Sequence, residues 1–394
     1  MKIGIYLGDI KKPKSVGDLT FELSFVDEIL SQNTGHDYVF YYFGKKNIFK
    51  NTQNAKFVPL KYYKKLEISY HPFCIKAYKK PFQSLNYKLK QDKVNVVYFL
   101  SPYLYEHIET PYFANIRDVA HRILPHFPEF STNRVVEKME RKLNTFLTAA
   151  SKIITCTNVA KEDIKTLYDV IDENIVTLDM PFPNWVKNIS PDESVLDKYD
   201  LLKNNYILYP AQFWTHKNHI RLVLVAQMLK EQNINLKVVF TGLDKGNKTY
   251  IQKQIKELDL EDDIVFLNYV NQQELAALYK NAYTLCYPCL AGPDSISALE
   301  AMYFNCPILI SDNPGYIQQL KKSALYFNPL DEEDIFDKIR MLNDIATKDE
   351  ILANGKNLIE QYTFKNYIDR FLKLMDDFYQ TRLCWSLDEN YTNK

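Results

Sequence analysis

Short apolar segments alternate with helical patterns through the carboxy-terminal half of this 394-residue chain. Six segments have strand length: YILYP (206–210), LKVVFTG (236–242), DIVFLNYV (263–270), YTLCYP (283–288), PILIS (307–311) and ALYFNP (324–329). Helical patterns lie between them, at 216–232, 248–258, 272–281, 295–304 and 314–322. Segments that are apolar throughout are buried on both faces, which is typical of parallel strands covered by helices. The alternation therefore predicts an α/β fold with a doubly wound parallel sheet.

The amino-terminal half follows the same plan less regularly. Its strand-like runs are KIGIYL, YVFYYF, NVVYFL, YFANIR, KIITCT and NIVTLD, and its helical patterns lie at 18–31, 131–149 and 158–168. Segment 180–194 has three prolines and no periodicity, so it is predicted to link two domains. We predict one Rossmann-like domain over 1–185, a second over 186–363, and a carboxy-terminal helix and tail over 364–394. The helix is expected to pack back on the first domain. Ligands of such sheets bind at the carboxyl ends of strands, so the cleft between the domains is the expected site.

The overall charge of the chain is balanced, which argues against nucleic acid as a partner. Lysine plus arginine and aspartate plus glutamate number 49 each, so no global field attracts a polyanion. The apolar run at the amino terminus stops at Gly8, too short for a signal-peptide core. No stretch approaches the roughly 20 apolar residues of a spanning helix. We expect a soluble, cytoplasmic chain.

The six cysteines are dispersed, and four lie in apolar strand-like segments, as reduced core thiols do. Cys286 and Cys289 have the C-x-x-C spacing of some metal and redox sites. Neither a second pair nor nearby histidines accompany them, so core packing is the expected role.

The turn YPAQFWTHKNH, residues 209–219, joins a predicted strand to a predicted helix. It places His216 and Lys217 in the first helical turn, where the helix dipole disfavours cations unless an anion is bound. Thr215 is the predicted N-cap, with free backbone N–H groups after it. These donors and the lysine suit a phosphate. The alternative is that Lys217 is a solvated surface residue.

A second turn of the same kind is CLAGPDSISALEAM, residues 289–302. Gly292 allows close backbone approach, and Asp294 or Ser295 can cap the following helix. Glu300 stands among apolar neighbours, where a carboxylate is costly unless hydrogen-bonded. A ribose diol supplies two such donors. The alternative is that Glu300 faces solvent and favours the helix start. A cation at one turn and a diol acceptor at the other suit a nucleoside diphosphate.

Several motifs resemble a known enzyme family. YPAQFWTHKNHIRL, FTGLDKGNKTYIQKQIKELDLEDDIVFLNYV and GPDSISALEAMYFNCPILISDNPG resemble the carboxy-terminal domain of the retaining family 4 glycosyltransferases, which have the GT-B fold. FLSPYLYEHIETPYFANIRDVAHRILPHFPEFS resembles the HDLQHR segment of their amino-terminal domain. The resemblance covers residues 95–345 and the remainder by layout only. It implies two Rossmann-like domains that face a cleft.

The resemblance also implies a reaction. Family members transfer a sugar from a nucleotide donor to an acceptor hydroxyl with retention of configuration, so a hexosyltransferase is expected. The nucleotide-diphosphate sugar is a co-substrate, and neither a cofactor nor a metal is required. The sequence contains no D-x-D, which is consistent with a metal-independent enzyme.

The donor-site residues follow from the same resemblance. Lys217 matches the lysine that neutralises the donor diphosphate, but Gln212 stands where the family usually has an arginine. Glu300 matches the second glutamate of the E-x7-E pattern, which binds the ribose. The first glutamate falls at Gly292, as in a related subgroup that reads FGPDNLPPLEA. Its role is implied to pass to backbone groups of Gly292, Pro293, Asp294, Ser295, Ile296 and Ser297.

The amino-terminal domain supplies further candidates. Gly17 and Asp18 match the glycine loop that closes over the diphosphate. Arg117 stands at the family's HD histidine position, and if it faces the cleft it can return the charge lost at position 212. Asp118 and His121 are predicted to contact the transferred sugar or the acceptor. A histidine after a strand is otherwise more often structural.

Recognition of the base is expected to use main-chain groups near Gly242, Tyr269 and Val270. These positions follow two predicted strands of the donor domain. The side chains there do not identify which base is bound.

Segment 61–93 combines basic and aromatic residues. Nine lysines stand against Glu67 and Asp92, with five tyrosines and two phenylalanines between them. This composition suits a surface that lies on anionic lipid, which predicts a peripheral protein on the inner face of the cytoplasmic membrane and a lipid-linked or saccharide acceptor. Single-stranded nucleic acid suits it too, but the neighbouring motifs argue against that. A solvated charged surface is the remaining alternative.

Two other functions fit the same architecture. A nucleotide-sugar 2-epimerase handles the donor without an acceptor, and incubation with the donor alone distinguishes it. A catalytically degenerate nucleotide-sugar-binding subunit is suggested by Gln212 and Gly292, and it predicts binding without transfer. The preferred prediction is a glycosyltransferase of surface polysaccharide or lipopolysaccharide biosynthesis.

Overall fold

The computed structural model describes residues 1–10, 16–32, 34–44, 49–60, 85–101, 108–267 and 269–386. Residues 16–18 are described by their backbone only. Within these ranges the chain forms two parallel sheets covered by helices.

The first sheet has the strand order β3-β2-β1-β4-β5-β6-β7 among the described residues, and all its pairs are parallel. Its strands are β1 (Lys2–Asp9), β2 (Asp37–Phe43), β3 (Ala55–Leu60), β4 (Val96–Phe99), β5 (Tyr112–Asn115), β6 (Lys152–Thr155) and β7 (Ile175–Thr177). Its helices are α1 (Val16–Ser31), α2 (Leu85–Gln91), α3 (Ala120–Ile123), α4 (Pro128–Ser131), α5 (Val135–Thr148) and α6 (Asn158–Tyr168). Every residue of β4 and β5 is buried, because helices cover both faces of the central strands.

The second sheet has the order β10-β9-β8-β11-β12-β13 in the described part of the chain, again with parallel pairs. Its strands are β8 (Tyr206–Pro210), β9 (Lys237–Thr241), β10 (Ile264–Leu267), β11 (Thr284–Tyr287), β12 (Ile308–Ser311) and β13 (Leu325–Phe327). Its helices are α7 (Ser194–Lys198), α8 (His219–Glu231), α9 (Lys248–Glu257), α10 (Gln272–Asn281), α11 (Ile296–Tyr303), α12 (Pro314–Leu320), α13 (Glu332–Met341) and α14 (Ile345–Leu358). The strand order reverses between β8 and β11, so loops after these two strands diverge and leave a crevice.

The last helix, α15 (Phe364–Arg382), packs on the first domain. Phe364, Ile368, Phe371 and Met375 lie on one face of it and are fully buried in the same core as residues of β1 and α1. Tyr367 on this helix and Tyr98 on β4 share a hydrogen bond of 2.8 Å. The prediction that the carboxy-terminal helix returns to the first domain is therefore confirmed, as is the α/β class with two doubly wound sheets.

Two local predictions were wrong. The helix expected from 216 to 232 is divided into a 3-10 turn, Thr215–Lys217, and α8, because Asn218 takes a left-handed conformation (φ 57°). Thr215 makes no capping hydrogen bond; Trp214 and Asn218 occupy the cap positions. Lys217 therefore precedes α8 instead of lying in its first turn.

Candidate active site

The loops that follow β8 and β11 contact each other at the switch point of the second sheet. The Leu290 N–H donates to the His216 carbonyl at 2.9 Å, and the Asn218 side-chain amide donates to the Pro288 carbonyl at 3.1 Å. The two turns that the sequence predicted to share a ligand are thus held side by side.

Lys217 is half-buried in the first of these loops. Its ammonium donates to the Tyr287 hydroxyl at 2.8 Å, and its carbonyl accepts from the Tyr209 hydroxyl at 2.6 Å. Burial lowers the pKa of Lys217, but Cys289 and Tyr287 beside it raise that pKa above its ordinary value. No carboxylate of the described residues lies within ion-pair distance of it. This ammonium therefore has a hydroxyl and not a carboxylate as its hydrogen-bond partner.

Glu300 lies on α11 and is 8% exposed. Its Oε2 accepts from the Tyr279 hydroxyl at 2.9 Å. Burial raises the pKa of this carboxyl to about 7, while hydrogen bonds from Tyr279 and Trp185 lower it. The solvent-facing alternative is therefore wrong: Glu300 is a buried carboxylate near the switch point.

Ser295 is the N-cap of α11, as predicted. Its hydroxyl accepts from the Ala298 N–H at 3.2 Å, and its own N–H donates to Gln319 at 2.8 Å. Ile296 and Ser297 begin the helix, and Pro293 is buried just before it. Gly292 has φ 111°, a left-handed conformation that favours glycine.

Asp294, in the second domain, is influenced by charged residues of the first domain. Burial raises the pKa of Asp294 to about 6, and the Arg117 guanidinium lowers it while Asp118 raises it. Arg117 follows β5 and stacks 4.6 Å above the Phe21 ring. Asp118 is exposed, and its Oδ1 accepts from the Ala120 N–H at 3.0 Å. The Arg117 and Asp118 charges of the first domain therefore act on the Asp294 carboxyl of the second.

His121 does not lie in the cleft, contrary to the prediction that it contacts a sugar. Its side chain is fully buried, and its Nε2 lies 2.6 Å from Glu140 on α5. The Tyr168 hydroxyl is 3.3 Å from the same nitrogen. His121 is a structural histidine that joins α3 to α5 and α6.

The loops after β8 and β9 pack closely at Gly242. This residue has φ 155°, and a Cβ there would lie 2.2 Å from the Ala211 carbonyl oxygen. The Phe213 N–H also donates to the Leu243 carbonyl at 3.0 Å. Gln212, between these contacts, is half-buried and accepts from the Trp214 indole N–H at 3.1 Å.

Gly242→Ala is expected to displace the Gln212 loop and to lower the unfolding temperature by several degrees, because a backbone atom blocks the added methyl group. Gly246→Ala is the matched control: Gly246 has φ 107° but nothing within 4 Å of a Cβ, so it isolates the conformational cost. Thermal unfolding measures both. Equal losses in the two variants would contradict the close approach.

The remaining residues predicted to bind the donor lie in other parts of the two domains. Tyr269 is 74% exposed and Val270 is half-buried, both just beyond β10. Gly17 and Asp18 lie in the first turn of α1, and their side chains are not described. Most of the basic segment, residues 61–84, lies outside the described residues.

Two residues of this region were not singled out from the sequence. Tyr287, the last residue of β11, was interpreted only as part of a strand, yet it is the hydrogen-bond acceptor of Lys217. Glu129, on α4, accepts hydrogen bonds from the N–H (2.9 Å) and the ring Nδ1 of His216. The motif HFPEF contained Glu129, but its partner is distant in sequence.

Part of the chain matches a known protein family. Residues 196–358 match the family model described as glycosyl transferases group 1. The second domain is therefore similar to that family, and the match covers less than half of the chain. The matched segment contains both Lys217 and Glu300.

Two relatives carry similar descriptions. The O-antigen chain mannosyltransferase RfbU of Salmonella typhimurium (strain LT2) is 26% identical over 261 residues, which are 66% of this chain and 69% of that protein. O-antigen chain mannosyltransferase B of Escherichia coli is 26% identical over 243 residues, or 61% and 64%. The alignments thus span about two thirds of these relatives.

Solved structures share the fold over nearly the whole chain. A sucrose-phosphate synthase from Thermosynechococcus elongatus has a TM-score of 0.71 at 14% identity and covers 97% of this chain and 100% of its own. WaaG, a glycosyltransferase involved in lipopolysaccharide biosynthesis, has a TM-score of 0.66 at 14% identity, covering 94% and 99%. Anabaena HepE, solved with UDP, has a TM-score of 0.68 at 13% identity, covering 96% and 100%. These likenesses confirm the GT-B arrangement.

Two features are absent from the described residues. None of the helices there combines the length and apolarity needed to span a membrane. No group of three or more histidine, cysteine or acidic side chains placed to hold a metal ion was found in the same part of the chain.

Proposed function

We propose that this glycosyltransferase moves a hexose from a nucleotide-diphosphate sugar to a hydroxyl of a saccharide or lipid-linked acceptor, with retention, in surface polysaccharide or lipopolysaccharide biosynthesis. The observation that carries the proposal is the half-buried Lys217 ammonium, which has no carboxylate partner among the described residues and lies at the switch point of the donor sheet. A mannosyl donor is the first candidate, because both relatives above are described as mannosyltransferases.

The proposed chemistry begins with the leaving group. As the bond between the sugar C1 and the phosphate oxygen breaks, negative charge grows on the diphosphate. A fixed ammonium aimed at that charge stabilises the transition state more than the ground state. Lys217 is fixed, because Tyr287 holds its ammonium and Tyr209 holds its carbonyl.

Glu300 is proposed to bind the ribose of the donor. The carboxylate is buried and Tyr279 donates one hydrogen bond to it, so acceptor capacity remains for a diol. Gly292 leaves room for the sugar where other family members carry a glutamate. Backbone groups from Gly292 to Ser297 and the Asp294 carboxylate are proposed to contact the sugar there.

The acceptor is proposed to approach from the first domain, near Asp118. Retention needs no protein nucleophile if the leaving phosphate oxygen accepts the acceptor's proton on the same face. The proposed step requires neither a metal ion nor a covalent intermediate with the protein.

A panel of nucleotide sugars and nucleoside diphosphates tests the proposal. Thermal unfolding should rise with the cognate nucleotide, because ligand binding stabilises the native state. Labelled sugar should then move to a saccharide or lipid-linked acceptor. Conversion of the sugar without an acceptor would instead indicate an epimerase, and binding without transfer a degenerate subunit.

Arg117→Ala is expected to weaken donor affinity about tenfold, because this guanidinium is proposed to replace the arginine that is absent at Gln212. Arg122→Ala is the matched control, since Arg122 lies over the Tyr168 ring and beside Glu140. Calorimetric titration with the cognate nucleoside diphosphate measures both. Introducing Gln212→Arg into the Arg117→Ala variant should restore affinity, and unchanged affinity in Arg117→Ala would overturn the assignment.

Segment 61–93 is proposed to rest on the anionic inner face of the cytoplasmic membrane, which would bring a lipid-linked acceptor to the cleft. The chain should then sediment with anionic liposomes at low salt and be released at high salt. Failure to sediment at low salt would remove this part of the proposal.

A further inference from the structure

Glu129 reaches from the first domain to the loop that carries Lys217. It lies on α4, one residue after Pro128 begins that helix. Its Oε1 accepts from the His216 backbone N–H at 2.9 Å and is also bonded to the His216 ring Nδ1. The neighbouring Phe130 ring stacks on the same imidazole at 6.1 Å. Two residues of α4, in the amino-terminal domain, therefore contact His216 in the loop that follows β8.

His216 is the point where three segments meet. Its N–H faces α4, its carbonyl accepts from Leu290 in the loop after β11, and its peptide leads directly into Lys217. Moving His216 therefore moves the lysine and the second ligand loop together.

Glu129 meets the His216 loop as a buried carboxylate. Its side chain is 5% exposed, and its Oε2 has no hydrogen-bond partner among the described residues. Burial raises the pKa of Glu129, but the hydrogen bonds from His216 lower it below its ordinary value, so the contact stabilises the ionised carboxylate. Burial lowers the pKa of His216 and Glu129 raises it, with the lowering dominant, so a neutral imidazole with its proton on Nδ1 donates to Glu129. Glu129 is thus held as the acceptor of both His216 donors.

We propose that Glu129 is a positioning residue that holds the Lys217 loop through His216 and so couples closure of the two domains to the diphosphate site. The inference rests on the proposed function, in which Lys217 meets the donor diphosphate. When the domains separate, both bonds to His216 break and the loop loses its support. When they close on a donor, the loop is fixed in the arrangement that binds it.

Glu129→Ala and Glu129→Gln test this. Glu129→Ala should raise the dissociation constant of the cognate nucleoside diphosphate about tenfold, with a higher donor KM, a lower kcat and an unchanged acceptor KM. Glu129→Gln retains one oxygen acceptor and should fall between alanine and wild type. Glu140→Ala is the control, because Glu140 makes a similar buried contact with His121 away from the cleft.

Three results would overturn the inference. Unchanged affinity and kinetics in Glu129→Ala, with only a lower unfolding temperature as in Glu140→Ala, would make the residue merely structural. Tighter binding would mean that Glu129 competes with the phosphate for the His216 N–H. A change in acceptor KM alone would make it an acceptor contact. If wild type binds no nucleoside diphosphate, the proposed function itself fails.

Discussion

Replacing Lys217 with alanine is expected to lower kcat for sugar transfer about 10²- to 10³-fold while leaving the protein folded. That range is typical for removing one fixed group that stabilises developing negative charge in a site shielded from water. The unfolding temperature should change little, because no ion pair is lost with this ammonium among the described residues. Steady-state transfer kinetics and thermal unfolding measure the two effects.

Two further variants distinguish the charge of Lys217 from the hydrogen bond that holds its ammonium in place. Tyr287→Phe keeps the ammonium but removes the hydroxyl that holds it, so a smaller loss of kcat is expected. Lys230→Ala removes a surface lysine of α8 that pairs with Asp263, and it should leave kcat unchanged. Turnover of Lys217→Ala within a few fold of wild type would contradict the diphosphate assignment.

The fold was predictable because its strands are buried on both faces. Segments such as 206–210 and 284–287 are apolar throughout, and a parallel sheet is the arrangement that buries them. β3, at 55–60, was missed, because it is an edge strand with a proline and an exposed lysine. The break before α8 was missed too, since the left-handed Asn218 is fixed by side-chain hydrogen bonds to the carbonyls of Pro288 and Pro329.

The candidate site was predictable for residues that lie close in sequence to the strands that position them. Lys217 and Glu300 were found because a cation and a carboxylate follow strands that end at the same edge of the sheet. His121 could not be placed in the same way, because its burial depends on Glu140, nineteen residues further on. Glu129 and His216 are 87 residues apart and lie in different domains, so their contact has no sequence signature.

Glu300 should make stability and donor binding respond to pH in opposite directions. Its pKa is raised from 4.5 to about 7 by burial, so the folded chain keeps a proton that the unfolded chain loses above 4.5. The contribution of Glu300 to the free energy of unfolding is therefore fully present below about pH 4.5, and it is lost as the pH rises through 7. The loss amounts to about 3 kcal/mol at about 1.4 kcal/mol per pKa unit.

Glu300→Gln should remove that loss. The amide cannot ionise, and its oxygen can still accept from Tyr279. The variant is expected to be more stable than wild type at pH 8 by up to about 3 kcal/mol, and the two should converge near pH 4.5. Denaturant unfolding between pH 4.5 and 8 measures the difference. Tyr279→Phe removes a bond that lowers the pKa, so its pH dependence should move to higher pH.

The same variant should lose function, because a ribose diol needs the ionised carboxylate as acceptor for both hydroxyls. We expect the donor KM of Glu300→Gln to rise about 10²-fold, the effect of leaving buried polar groups of ligand and site imperfectly paired. In wild type, donor affinity should increase as pH rises through about 7, and this step should be absent from the variant. A carboxylate kept at a cost in stability is then explained by the ligand that it binds. The same pH step in Glu300→Gln would assign it to another group and remove Glu300 from the ribose site.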